Sequence, residues 1–120
     1  MKREKRLHPR IAQELPLKIA ANGYDFVTST KNLSCLGAYC RIDKYVPPFT
    51  KIAVKFDLPV ADYHGLRQNY NVACNGVIVR SEDDISGGFN VAIFFNEIKD
   101  SQRKIIIKYV NQFLPQDIPT

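Results

Sequence analysis

The sequence predicts an all-β domain of six strands followed by one C-terminal helix. Apolar and polar residues alternate with a period of two in successive stretches between Leu15 and Phe95. Glycine, proline and asparagine punctuate the breaks between those stretches. The period changes to that of a helix only after Asp100. With 120 residues there is room for one packed core and not for two.

Leu15, Leu17 and Ile19 alternate with Pro16 and Lys18 and stop at Asn22-Gly23, which predicts a first strand and a hairpin turn. Tyr24 to Lys31 is rich in aromatic and β-branched residues and forms the second strand. A polar signature, Asn32-Leu33-Ser34-Cys35-Leu36-Gly37, interrupts it, and Ala38 to Ile42 resumes as the third strand before Pro47-Pro48 breaks the pattern. Ile52, Val54, Phe56 and Leu58 face one way, with Lys51, Lys55 and Asp57 facing the other, in a half-buried fourth strand expected to end at Pro59. Tyr70 to Arg80 is a fifth strand, with Asn75-Gly76 read as a bulge in one continuous strand in preference to a turn. Ser81 to Gly88 is expected to be a polar connection, and Phe89, Val91, Ile93 and Phe95 make the sixth strand. Asp100 or Ser101 is expected to cap a helix whose stripe is Ile106, Val110, Phe113 and Leu114, stopped by Pro115. Ile105, Ile107 and Tyr109 widen that stripe, so the helix covers a barrel end or faces a partner, the first being preferred.

The composition, 45% hydrophobic and 24% charged, is that of a globular chain. The longest purely apolar stretch, Val91 to Phe95, is far short of the roughly 20 residues of a membrane helix, and no apolar stretch follows the basic start as in a signal peptide. A cytoplasmic location without membrane insertion is therefore expected. Cys35, Cys40 and Cys74 are odd in number and lack C-x-x-C spacing, so buried reduced thiols are expected and neither a disulfide framework nor a zinc site. His8 and His64 stand far apart with no second ligand at metal spacing, and are read as solvated or hydrogen-bonded.

Charge is concentrated at the start. Lys2, Arg3, Lys5, Arg6 and Arg10 stand against the single acid Glu4, within a chain of net charge +5. A guanidinium fork matches phosphate oxygens, pairs with guanine and stacks on a purine, so Arg6 and Arg10, spaced R-x-x-x-R, suit a nucleotide. In an extended arm they are roughly 13 Å apart, which fits a ligand with several phosphates or bases. Asn32 offers an amide for a base edge, Ser34 a hydroxyl for a phosphate, and Gly37 a backbone free to take positive φ or to approach a ligand. R-x-x-x-R alone is expected by chance roughly 0.4 times in such a chain, but [DN]-x-S-x-x-G only roughly 0.03 times.

Together these residues resemble the two signatures of the PilZ domain, a bacterial receptor family for the second messenger cyclic di-GMP. Arg6-Leu7-His8-Pro9-Arg10 is similar to its arginine motif and Asn32 to Gly37 to its second motif, with Asn32 in place of the commoner aspartate. The resemblance extends through Gly76-Val77-Ile78-Val79-Arg80, the strand from Gly88 to Phe95 and the closing helix. It implies a six-stranded antiparallel Greek-key β-barrel over residues 14–98, a basic ligand-binding arm over 1–13, a helix over 99–114 and a tail over 115–120. It also implies that Arg6, Arg10, Asn32, Ser34 and Gly37 bind cyclic di-GMP. Lys5, just before the arginine motif, leans toward a bound pair of ligands. The implied role is that of a non-enzymatic adaptor without a cofactor, a monomer or weak dimer, whose arm orders over the nucleotide. The surface so formed would be read by a downstream protein in control of motility, biofilm or virulence.

Three other readings compete. A short charge run is commonly only a solubilising tail. A small basic β-barrel, here of pI 9.2, could bind nucleic acid, but the interleaved aromatic and basic strand motif of such modules is missing. A PilZ-like adaptor that binds protein and ignores the nucleotide is the serious rival, opposed by the intact Arg6, Arg10, Asn32, Ser34 and Gly37. No nucleophile with a partnered base and no phosphate-binding loop occurs, so no enzyme is expected.

Overall fold

Inward branched residues set every strand of the fold. A computed structural model describes residues 8–21, 23–62 and 64–114. Strand β1 (Pro16–Ala21) buries Leu17, Ile19 and Ala21, and leaves Pro16, Lys18 and Ala20 in water. It pairs with β2 (Tyr24–Leu33), Ala21 opposite Tyr24, across a two-residue turn in which Gly23 has φ +83°. Asn22, expected in that turn, lies outside the described residues. β3 (Gly37–Ile42) follows, and residues 43–50 then cross the barrel end, plugging it with buried Val46. β4 (Lys51–Ala61), β5 (Arg67–Asp83) and β6 (Phe89–Glu97) form a second meander.

The barrel closes in the order β1-β2-β3-β6-β5-β4, all pairs antiparallel. β3 lies beside β6, which makes a Greek key of the last four strands. These directions put the β1–β2 turn, residues 43–50 and the β5–β6 turn at one end, and the β2–β3 and β4–β5 turns at the other. The core is filled by Leu17, Leu33, Val54, Leu58, Val72, Ile78 and Val91, with Phe56 stacked on Phe95 at 6.0 Å. Helix α1 (Asp100–Asn111) buries Ile106, Tyr109 and Val110 and packs against β4 and β5, so it covers its own barrel. Among the described residues no helix is long and apolar enough to cross a membrane.

Several local expectations are corrected. β4 does not stop at Pro59 but runs to Ala61, with Pro59 opposite Asn69. β1 pairs with β4 only over Ala53–Lys55, so the flank at Pro59 has no strand waiting for the missing N–H. Gln112 takes that place: its Oε1 accepts from Ala61 N at 3.0 Å and its Nε2 donates to Pro59 O at 3.4 Å. Gln112→Ala should therefore cost about 1 kcal/mol in urea denaturation. β5 includes Ser81 to Asp83, leaving a shorter turn than expected. The bulge at Gly76 is present as a register shift against β6 between Asn75 and Val77, and a second shift lies between Ile78 and Arg80. Neither Asp100 nor Ser101 caps α1: extended Lys99 does, without a side-chain bond, while Asp100 sits in the first turn where negative charge is favoured. Phe113 is not on the buried stripe but is 44% exposed, because the helix has ended at Asn111. Pro115 and the tail lie outside the described residues.

All three cysteines are free thiols. Cys35 and Cys40 are buried, whereas Cys74 is only half-buried, close enough to α1 to feel the charge of Arg103. Burial pushes the Cys40 thiol from 9.0 up to about 12, and Cys74 to about 11. The unfolded thiols ionise first as pH rises, so stability complete below pH 9.0 should fall between 9.0 and about 12. Urea midpoints measured across that range should fall less steeply in Cys40→Val.

Candidate functional site

The arm is anchored by apolar side chains. Ile11 and Leu15, four residues apart, are both buried, and Ile11 makes paired backbone bonds with Leu33 at 3.0 Å in each direction. Buried Thr30 fixes the stretch between them: its hydroxyl donates to Gln13 O at 2.6 Å and accepts from Leu15 N at 3.0 Å. His8 Nδ1 and Cys35 Sγ lie 3.3 Å apart, joining the middle positions of the two signatures. Residues 8–13 are therefore docked on the barrel. The reading of the first residues by charge overlooked Ile11, whose burial and backbone bonds tie this stretch to β2. Lys5 and Arg6 lie outside the described residues.

The second signature builds the β2–β3 turn. Asn32 and Leu33 end β2, and Gly37 opens β3. Ser34 is 5% exposed; its N–H donates to Gly37 O at 2.9 Å and its hydroxyl accepts from Leu36 N at 3.1 Å, leaving the hydroxyl proton for another acceptor. Gly37 does not take positive φ. It is required because a Cβ there would lie 2.0 Å from the carbonyl oxygen of Ile93 on β6. The close approach anticipated for Gly37 is thus to the neighbouring strand.

On the outer face of the barrel the registers align one row across four strands: Asn32 opposite Tyr39, Tyr39 opposite Ala92, and Ala92 opposite Arg80. The Arg80 guanidinium lies 5.9 Å from the centre of the Tyr39 ring, and Lys31 Nζ stands at the same distance. Arg80 also pairs with Glu82 at 2.9 Å. Beside this row runs a groove of about 670 Å³, within the range of small-molecule sites. Arg10, Asn32, Ser34 and Gly37 all line it, so four predicted site residues meet in one place.

Sequence reasoning missed Tyr39, Arg80, Ala92 and Phe94, which line the same groove. The signal for Tyr39 was available, because period two puts it on the face of Gly37. Arg80 was hidden by the second bulge, which leaves Val79 and Arg80 both exposed and breaks the alternation. Small Ala92 leaves an open floor between an aromatic ring and a guanidinium, both of which can stack on a flat ring.

Comparison with known proteins bears on the fold and the family. The Bacillus subtilis inhibitor of motility MotI/DgrA superposes with a TM-score of 0.76 at 13% identity, over 91% of this chain and 51% of that one. This chain thus spans about half the length of that protein. The PilZ domain of CeSA from a cellulose-synthesizing bacterium superposes with a TM-score of 0.59 at 18% identity, over 87% of this chain and 96% of that one. At such identities the likeness is one of fold. A search of curated proteins finds no match. The family model described as PilZ domain matches residues 4–112, spanning both signatures, the barrel and the helix, and the chain belongs to the PilZ domain family.

Proposed function

We propose that this domain is a cyclic di-GMP receptor that binds the nucleotide in the groove between the docked arm and the β3–β6–β5 face, and that a protein partner reads the complex. PilZ domains are receptor and adaptor domains, not enzymes. The observation that carries the reading is the meeting of Arg10, from the first signature, with Asn32, Ser34 and Gly37, from the second, in one groove. Arg10 serves phosphate or guanine with its fork, Asn32 a base edge, and Ser34 a phosphate oxygen. Arg80 and Tyr39 offer stacking surfaces above the Ala92 floor. Arg6 supplies the second guanidinium in this reading, and Lys5 favours two ligands over one.

Fixing one backbone residue costs roughly 1–2 kcal/mol, and in this reading the contacts of Ile11 and Thr30 reduce what the nucleotide must supply to order the arm. The free thiols suit a reducing compartment, and we place the protein in the cytoplasm.

Calorimetry with cyclic di-GMP, against GTP, cyclic AMP and a short RNA, tests the reading and counts ligands per chain. Saturable heat with cyclic di-GMP alone is expected. No heat with cyclic di-GMP would leave the protein-binding adaptor as the better reading, and heat with RNA would favour a nucleic-acid binder.

A further inference from the structure

The described arm meets the barrel through backbone and through side chain. Ile11, Gln13 and Leu15 are tied to β2 by their bonds with Leu33 and Thr30. Nearer the N-terminus the contact changes kind: His8 Nδ1 faces Cys35 Sγ at 3.3 Å, side chain to side chain. In the sequence His8 stands midway between Arg6 and Arg10. Pro9 stiffens the link from His8 to Arg10 by fixing a backbone dihedral. His8 on one side and buried Ile11 on the other thus bracket Arg10, which is itself exposed and lines the groove.

Cys35 is a firm post for such a contact. It lies in the β2–β3 turn, 5% exposed, between Ser34 and Leu36. Ser34 N donates to Gly37 O at 2.9 Å, Leu36 N to Ser34 Oγ at 3.1 Å, and Phe95 N on β6 to Leu36 O at 2.8 Å. Phe95 is fully buried, so the turn is fastened to the core. The thiol sits behind the groove, whereas His8, Arg10 and Ser34 line it. A thiol and a neutral imidazole share one proton, the sulfur donating or accepting according to the tautomer. Burial of the sulfur keeps water from competing for that bond, which strengthens it. Packing alone would be met by any small apolar side chain at position 35, and does not call for an imidazole beside it.

We infer that His8 and Cys35 form a latch that holds Arg10 in the groove lining, which makes Cys35 a positioning residue for cyclic di-GMP without lining the groove itself. The inference rests on the receptor reading and adds to it a residue that acts through another. A double-mutant cycle read by calorimetry with cyclic di-GMP tests it, using the full chain, Cys35→Ala, His8→Ala and the double variant. Each single variant should bind about fivefold to tenfold more weakly, the worth of one hydrogen bond. The double variant should bind no more weakly than His8→Ala, because the same bond is lost only once. Cys35→Ser, which keeps a donor and an acceptor at that position, should bind more tightly than Cys35→Ala. By linkage, a nucleotide that binds better with the latch closed must in turn hold it closed. Saturating cyclic di-GMP should therefore slow alkylation of Cys35 by iodoacetamide about threefold or more in the parent, read by mass spectrometry, and by less in His8→Ala. Cys74, on β5 opposite Val54 of β4, should react at an unchanged rate. Parental affinity in Cys35→Ala, a double-variant loss equal to the product of the single losses, or alkylation of Cys35 indifferent to nucleotide overturns the inference and leaves the groove as the binding site. A parent chain that gives no heat with cyclic di-GMP overturns the receptor reading as well.

Discussion

Arg10→Ala should lose about a hundredfold or more in cyclic di-GMP affinity while melting with the parent. A hydrogen bond to a charged group is worth about 1.5 to 3 kcal/mol, and a guanidinium fork makes two of them, so the loss approaches 3 kcal/mol or more. The fold should not notice. Arg10 is exposed, and the packing of the arm is carried by its neighbour Ile11, whose backbone bonds to Leu33 survive the change. Arg10→Lys should recover only part of the loss, because an ammonium keeps charge but not the fork. Arg6→Ala is expected to behave like Arg10→Ala on the strength of the shared signature. Calorimetry with a parallel thermal melt checks each variant; parental affinity in Arg10→Ala would remove the arm from the site.

Gly37→Ala should have the opposite profile and damage the fold first. The added Cβ would meet the Ile93 carbonyl at 2.0 Å, and that carbonyl is backbone of β6, so no side chain can swing away. β3 and β6 are paired from Gly37↔Phe94 to Ile42↔Phe89, and relieving the contact means prising open the start of that ladder. Overpacking of this kind costs about 3 kcal/mol or more, equivalent to a fall in Tm of roughly 10 °C. Urea denaturation checks it. A fully stable Gly37→Ala would mean that β3 and β6 are not so close, and that the signature glycine serves the ligand alone.

The contrast between these residues shows what a sequence discloses. The fourth strand was plain because Ile52, Val54, Phe56 and Leu58 alternate with charged or small residues, and burial on one face leaves just that trace. The Asn75-Gly76 bulge was readable from turn chemistry inside a strand pattern. The end of the fourth strand was not, because whether Pro59 is tolerated depends on which strand lies beside it, a matter of barrel closure and not of local preference. The same holds for the site. Asn32, Ser34, Gly37 and Arg10 were visible as signatures. Tyr39, Ala92 and Arg80 became a row only through the register of four strands, one of them shifted twice by bulges. The docking of the arm was obscured by its own charge, which drew attention from Ile11. Phe49 looked like an ordinary aromatic beside two prolines until its φ was known.

An amide-resolved NMR titration with cyclic di-GMP asks most directly whether the groove is the binding site. Asn32, Tyr39, Ala92 and Arg80 should shift together and saturate at one ligand concentration, while Lys18 and Lys55 on the opposite wall stay still. If the row is silent while ligand binds, or if the opposite wall moves instead, the groove is not where this domain holds its nucleotide.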